Sequence, residues 1–189
     1  MILDPRRLLT ISDYAALPED DETRWELQEG LPVMLPSPSP WHNIVAFGIA
    51  AQLDSCLPSD LVAVPGVDLD LRLVPEHEPA TVRRPDVTVV PRSELRRVSS
   101  GGGVLRADQA VLVVEVVAPG SRRADRVTKR SEYADAGIPS YWIVDPDEPV
   151  SLLPLCRTEE LGYVDTGRAT GTYRGDFPCD LTIDLDRLR

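Results

Sequence analysis

A chain of 189 residues with 42% hydrophobic and 27% charged side chains is long enough to bury a core without a staple. Its net charge of −11 excludes a protein that coats nucleic acid by bulk attraction, but not an enzyme that meets phosphodiesters through a local site. No apolar run approaches the roughly 20 residues of a membrane span, and the N-terminus lacks a secretory pattern, so a cytoplasmic protein is expected. Three dispersed cysteines (Cys56, Cys156, Cys179) without a C-x-x-C, and only two histidines, argue for reduced thiols and against structural zinc.

In chain order, Thr10–Leu17 reads as a short helix and Asp20–Glu22 as an acidic turn. Trp25–Gln28 and Pro32–Leu35 flank Glu29-Gly30 as a β-hairpin. Ser39 offers an N-cap and Pro40 a first helical position. From Trp41 to Leu57, apolar residues at Ile44, Val45, Phe47 or Gly48, Ala51 and Leu53 predict an amphipathic helix. Leu61–Val64 and the alternating Val67–Val74 read as strands, as does Asp86–Val90 after Pro85. Pro91–Asp108, with Ser99-Ser100-Gly101-Gly102-Gly103, reads as a loop. Val111–Val117 is apolar on both faces apart from Glu115, so it belongs in the middle of a sheet. Ser121 caps a helix over Arg122–Ala136, which Gly137 and Pro139 end. Tyr141–Asp145 is the next strand, completing a βαβ-type unit that makes part of the sheet parallel. One or two further strands complete the chain.

Three residues stand out chemically. Glu115 sits alone in a run of valine and leucine, where a buried carboxylate costs several kcal/mol, roughly, unless it is paired or holds a metal. Asp86 opens its own strand; if the two strands are neighbours, both carboxylates meet at one spot. Such a pair plus water suits Mg²⁺ or Mn²⁺, and the Val116 carbonyl could add a third ligand. Lys129 is the only lysine among 20 basic residues. Arginine replaces lysine freely on a solvated surface but not where a compact ammonium is needed. Asp125, Lys129 and Tyr133 share one helix face, and Arg122, Arg123, Arg126 and Arg130 make that helix basic enough to meet a phosphate backbone. Plainer roles exist for each: Glu115 paired with an arginine, Asp86 in a turn, Asp125–Lys129 as a solvated pair.

These residues carry a resemblance. Arg84-Pro85-Asp86-Val87, Val114-Glu115-Val116-Val117-Ala118-Pro119, Asp125-Arg126-Val127-Thr128-Lys129, Tyr133 to Pro139 and Tyr141-Trp142-Ile143-Val144-Asp145 resemble the signature of the Uma-two family. That family is widespread in bacteria and is placed in the PD-(D/E)XK nuclease superfamily. Trp25-Glu26-Leu27-Gln28-Glu29-Gly30 and Pro36-Ser37-Pro38 followed by His42 are similar to its N-terminal pattern, so the likeness runs from about residue 8 to about residue 150. The resemblance implies an α/β (α+β) restriction-endonuclease-like core, a mixed β-sheet flanked by helices with an N-terminal hairpin extension. It implies one nuclease domain over 1–189: N-terminal helix and hairpin 8–36, core 37–150 and C-terminal strands 151–189. Asp86 and Glu115 would bind Mg²⁺ or Mn²⁺, Lys129 would position the attacking water and stabilise the transition state, and Tyr133 would support that lysine. Glu26 and His42 would lie near the site, where one of them would assist in activating the water; the expected partners are DNA and a second copy in a homodimer. The superfamily lysine usually follows the glutamate by two residues; that position is Val117 here, and Lys129 on the next helix takes its place. The expected activity is metal-assisted hydrolysis of DNA. A binding module that kept the fold without the chemistry, and a metal hydrolase of a smaller phosphate substrate, are the alternatives.

Overall fold

The computed structural model describes residues 7–17 and 24–188, so the acidic turn expected over 20–22 lies outside the described residues. Thr10 caps helix α1 (Ile11–Ala15): its hydroxyl accepts from the Asp13 amide, and the Asp13 carboxylate accepts from the Thr10 amide. Strands β1 (Trp25–Gln28) and β2 (Leu31–Met34) form the expected hairpin. Both turn residues adopt left-handed backbone, Glu29 at φ 48° and Gly30 at φ 81°, which matches the twist of the strands. Gly30 is doubly constrained, because a Cβ there would stand 2.8 Å from the β-carbons of Leu8 and Pro79.

Helix α2 (Pro40–Cys56) starts as expected, with Ser39 Oγ accepting from the His42 amide at 3.1 Å. Its buried face differs from the expected one. Val45, Ala46, Ile49, Ala50 and Leu53 enter the core, whereas Ile44 and Phe47 are 50% and 70% exposed and Ala51 also faces out. No Asp, Glu, Lys or Arg occurs from Pro40 to Leu53, so periodicity could not single out a face.

Strand β3 (Leu61–Pro65) follows. Of the strand expected over 67–74, only β4 (Leu69–Asp70) enters a ladder. Arg72 turns to φ 51°, and Asp70 Oδ1 accepts its amide at 3.0 Å. Strands β5 (Val82–Arg83) and β6 (Val87–Pro91) come next. The loop expected over 91–108 is instead helix α3 (Arg92–Gly101) and strand β7 (Leu105–Arg106). Ser99-Ser100-Gly101 forms the last helical turn, and Gly102 ends it at φ 73°. Glu94 holds this segment: it is 2% exposed and accepts from the Arg97 and Arg106 side chains and from the Arg106 amide.

Strand β8 (Leu112–Val116) is buried at every residue. The helix expected over 122–136 has two parts. In a π-helical turn (Ala124–Thr128) the Lys129 amide bonds to the Ala124 carbonyl five residues back; helix α4 (Lys129–Asp135) continues from it. Gly137, at φ 81°, ends it. Strand β9 (Ser140–Asp145) completes the βαβ unit. Beyond it the chain has more strands than expected: β10 (Ser151–Thr158), β11 (Gly162–Asp165), β12 (Ala169–Thr170), β13 (Thr172–Gly175) and β14 (Leu181–Asp184). Most are four residues or fewer, too short for alternation to mark them.

The main sheet runs β11-β10-β9-β8-β6-β3, with β12 beside β10. Within it β8 and β9 are parallel, and the other pairs are antiparallel. A second sheet runs β2-β1-β5-β4-β7, and β13 pairs with β14. Val114, Val116 and Trp142 pack with α2 on one face of the main sheet. Val113, Val117 and Tyr141 pack with Tyr133 of α4 on the other. The result is the mixed sheet flanked by helices that the sequence implied.

Two stability effects follow. Gly30→Ala should cost about 2–4 kcal/mol, from left-handed strain and overpacking together, read as a lower urea midpoint. Hydrogen bonds from Arg97, and then from Arg106, hold the Glu94 carboxyl down to about 2. The folded value lies below the ordinary one of 4.5, so this stability is full above that pH and is lost as pH falls through about 2. Glu94→Gln should therefore cost roughly 2 kcal/mol at neutral pH, discounted because both arginines are partly solvated, and the deficit should close on acidification. Urea titrations at stepped pH read it.

Candidate active site

Val87 pairs with Val114 across β6 and β8, which places Asp86 and Glu115 at adjacent strand ends. Asp86 Oδ2 accepts from the Val116 amide at 2.7 Å and lies 3.2 Å from His42 Nε2. That same His42 nitrogen stands 2.9 Å from the Val116 carbonyl oxygen. The cap at Ser39 puts His42 in the first turn of α2, so the helix start is what delivers the imidazole. The Asp86 carboxylate beside it raises the imidazole pKa, more than burial lowers it.

Glu115 is 4% exposed and faces α4. Its Oε1 accepts from Lys129 Nζ at 2.8 Å and from the Tyr133 hydroxyl at 2.7 Å. Tyr133 thus supports the glutamate directly rather than the lysine. Burial pushes the Glu115 carboxyl up to about 8, against the pull of Lys129. Burial would lower the Lys129 pKa, but Glu115, Glu26 and Asp125 together hold it above its ordinary value. Its ammonium lies 3.2 Å from Glu26 Oε1 and 3.9 Å from Asp125 Oδ1. Asp125 in turn accepts from Ser121 Oγ. The π-helical turn and α4 therefore place Asp125, Lys129 and Tyr133 on the sheet, as their spacing predicted.

Sequence reasoning missed two members of this network. Arg83 on β5 donates to Glu26 Oε2 at 2.8 Å and, through Nε and Nη2, to both oxygens of Glu132 at 2.7 and 2.6 Å. Only the tertiary pairing of β1 with β5, Leu27 opposite Val82, brings these charges together, so no local pattern marked them. The arginines of the same helix depart from expectation. Arg122 pairs with Asp145 and Asp147, Arg126 with Asp145, and Arg130 donates to the Tyr163 carbonyl. Arg123 alone of the four is exposed without a partner among the described residues.

Glu26, Asp86, Glu115, Asp125 and Glu132 thus surround Arg83, Lys129 and His42, which leaves a surplus of carboxylate charge. Glu115 Oε2 and Asp86 Oδ1 take no hydrogen bond among the described residues. Among the described residues no three His, Cys, Asp or Glu side chains form a ready metal cage. Two carboxylates and the Val116 carbonyl nonetheless fit a hard divalent cation that keeps several of its waters. A cavity of about 100 Å³ lies elsewhere, beside Asp70, Arg72 and Thr81.

The fold is a mixed α/β one, a sheet flanked by helices with a buried ionic cluster at the ends of β6 and β8. A crystal structure described as "a putative nuclease belonging to DUF820" from Anabaena variabilis ATCC 29413 is similar, with a TM-score of 0.67 over 95% of this chain and 97% of that one. At 17% identity that likeness speaks for the fold. The Uma2 family model, "Putative restriction endonuclease", matches residues 11–164, and the chain belongs to that family. No curated protein matches the sequence. Among the described residues no helix is long and apolar enough to cross a membrane.

Lys129→Ala should strand buried carboxylates and cost about 3–5 kcal/mol in urea unfolding. Adding Glu115→Gln should recover part of that loss, a coupling that the double-mutant cycle measures directly.

Proposed function

We propose that the protein is a Mg²⁺-dependent (or Mn²⁺-dependent) endonuclease that hydrolyses DNA phosphodiester bonds. The observation that carries this reading is Lys129, the only lysine of the chain, hydrogen-bonded to a buried glutamate one strand away from Asp86. Asp86, Glu115 and the Val116 carbonyl would hold the metal. A divalent ion so bound supplies a Lewis acid and lowers the pKa of water.

The chain's own residues do the rest. Tyr133 orients Glu115 through its hydroxyl. His42 orients Asp86 and the Val116 carbonyl from the other face of the sheet. Lys129 has three donors; one is hydrogen-bonded to Glu115, the ammonium pairs by charge with Glu26 at 3.2 Å and Asp125 at 3.9 Å, and a third donor takes no protein hydrogen bond among the described residues. That third donor is available to a water or a phosphate oxygen, where it offsets developing negative charge. Water adds to phosphorus as the bond to the leaving oxygen breaks; the water loses a proton to solvent and the leaving oxygen gains one. Glu26 is locked between Arg83 and Lys129, so it acts through the lysine rather than on the water.

A homodimer, which cutting both strands calls for, and a single nuclease domain spanning the chain belong to this reading. The acidic total and the paired arginines favour a second one, a domain that binds a partner without cutting. Cleavage of plasmid, linear, single-stranded and branched DNA with Mg²⁺ or Mn²⁺ separates the two. Asp86→Asn and Lys129→Ala should each lower cleavage by at least a hundredfold, and Asp86→Asn should also abolish Mn²⁺ binding in calorimetry. Metal binding by the parent without cleavage of any substrate would leave the second reading standing. Sedimentation reads the oligomeric state.

A further inference from the structure

Arg83 is among the most enclosed charges in the molecule, with a side chain only 6% exposed. Burial would lower its pKa, but Glu132 and Glu26 hold it above its ordinary value. Its contacts close a ring. The guanidinium grips Glu132 with a two-pronged fork and Glu26 with its remaining amino group. The other oxygen of Glu26 accepts from the Arg84 amide at 3.1 Å and meets the Lys129 ammonium. Glu132 and Lys129 lie three residues apart on α4, which completes the circuit.

Two consequences follow from charge. Arg83 ties α4, through Glu132, to β1, through Glu26, and so sets the height of Lys129 over the sheet. It also neutralises one side of Glu26. Without it, Glu26 would be a full buried anion whose nearest cation is Lys129, and the ammonium would be drawn from Glu115 at 2.8 Å towards Glu26 at 3.2 Å.

We propose that Arg83 is a positioning residue for the active site: by holding Glu26 and Glu132 it keeps the Lys129 ammonium on Glu115. This rests on Lys129 being the catalytic cation. The part that concerns the position of Lys129 stands or falls separately.

The chain allows a direct readout because it has one lysine. Protein labelled with ¹⁵N-lysine, carrying a lysine-free tag, shows a single side-chain ammonium resonance. In the parent that signal should exchange slowly with water. Arg83→Gln should shift it and speed its exchange at least tenfold, and Glu132→Gln should do the same to a smaller degree. In cleavage assays Arg83→Gln should lower kcat ten- to a hundredfold with KM within twofold. Glu94→Gln, a buried ionic variant outside the network, should leave the resonance and kcat unchanged, which separates positioning from general loss of stability.

A parental resonance in Arg83→Gln overturns the proposal. If that variant does not fold, a parental resonance in Glu132→Gln overturns it instead. A moved resonance with parental kcat overturns the catalytic half. If the parent cuts no DNA, the nuclease reading fails with the catalytic half, and the resonance still decides whether Arg83 positions Lys129.

Discussion

The buried pair of Glu115 and Lys129 is the constraint around which the rest is arranged. A carboxylate in the middle of a valine strand loses several kcal/mol of hydration, roughly, and regains it only from a partner in good geometry. Lys129 is that partner, and it comes from the helix that crosses from β8 to β9. The parallel pairing of those strands requires such a crossover, so the topology that makes the sheet also carries the cation to it. Tyr133, one turn on, reaches the same oxygen. The helix is docked by chemistry as well as by the packing of Tyr133 against Tyr141, whose rings stand 5.1 Å apart, edge to face.

The end of β8 is held from both faces. From α4 come the lysine and tyrosine; from the start of α2 comes His42, on Asp86 and the Val116 carbonyl. Two carboxylates and a carbonyl thus meet at adjacent strand ends, with a helix on each side. The hydrogen bonds go to single oxygens, Asp86 through Oδ2 and Glu115 through Oε1, and the second oxygen of each takes none among the described residues.

Much of this was legible in the sequence because it depends on local spacing. The central strand, the lone glutamate in it, the capped start of α2 and the 125–129–133 face are periodic patterns. Three things were illegible, each for a physical reason. The buried face of α2 could not be chosen because that helix carries no charge on either side through Leu53. Helix α3 was hidden by glycines that end it rather than dissolve it, and its anchor, Glu94, finds Arg106 only through tertiary structure. Arg83 and Glu132 were invisible as members of this ionic network because their link to Glu26 exists only once β1 and β5 pair. A resemblance can carry residues that a motif contains; it cannot supply charges that meet only in space.

The contrast between Arg83 and Lys129 explains why this arginine-rich chain keeps one lysine. The two cations share Glu26, yet they face different geometries. Arg83 meets Glu132 side on, two nitrogens against two oxygens at 2.7 and 2.6 Å, which a planar fork satisfies and a point charge does not. Lys129 sits among single oxygens of Glu115, Glu26 and Asp125 at 2.8, 3.2 and 3.9 Å, each carried by a different element. A tetrahedral ammonium can serve such a set. A planar guanidinium, whose donors form a fixed fork, matches such a set poorly. With the lysine on the helix, Val117, two residues after Glu115, packs in the core at 3% exposure. The cost is that the ammonium is no longer held by its own strand. Its position depends on how α4 is seated, and that seating runs through Glu132 and Arg83.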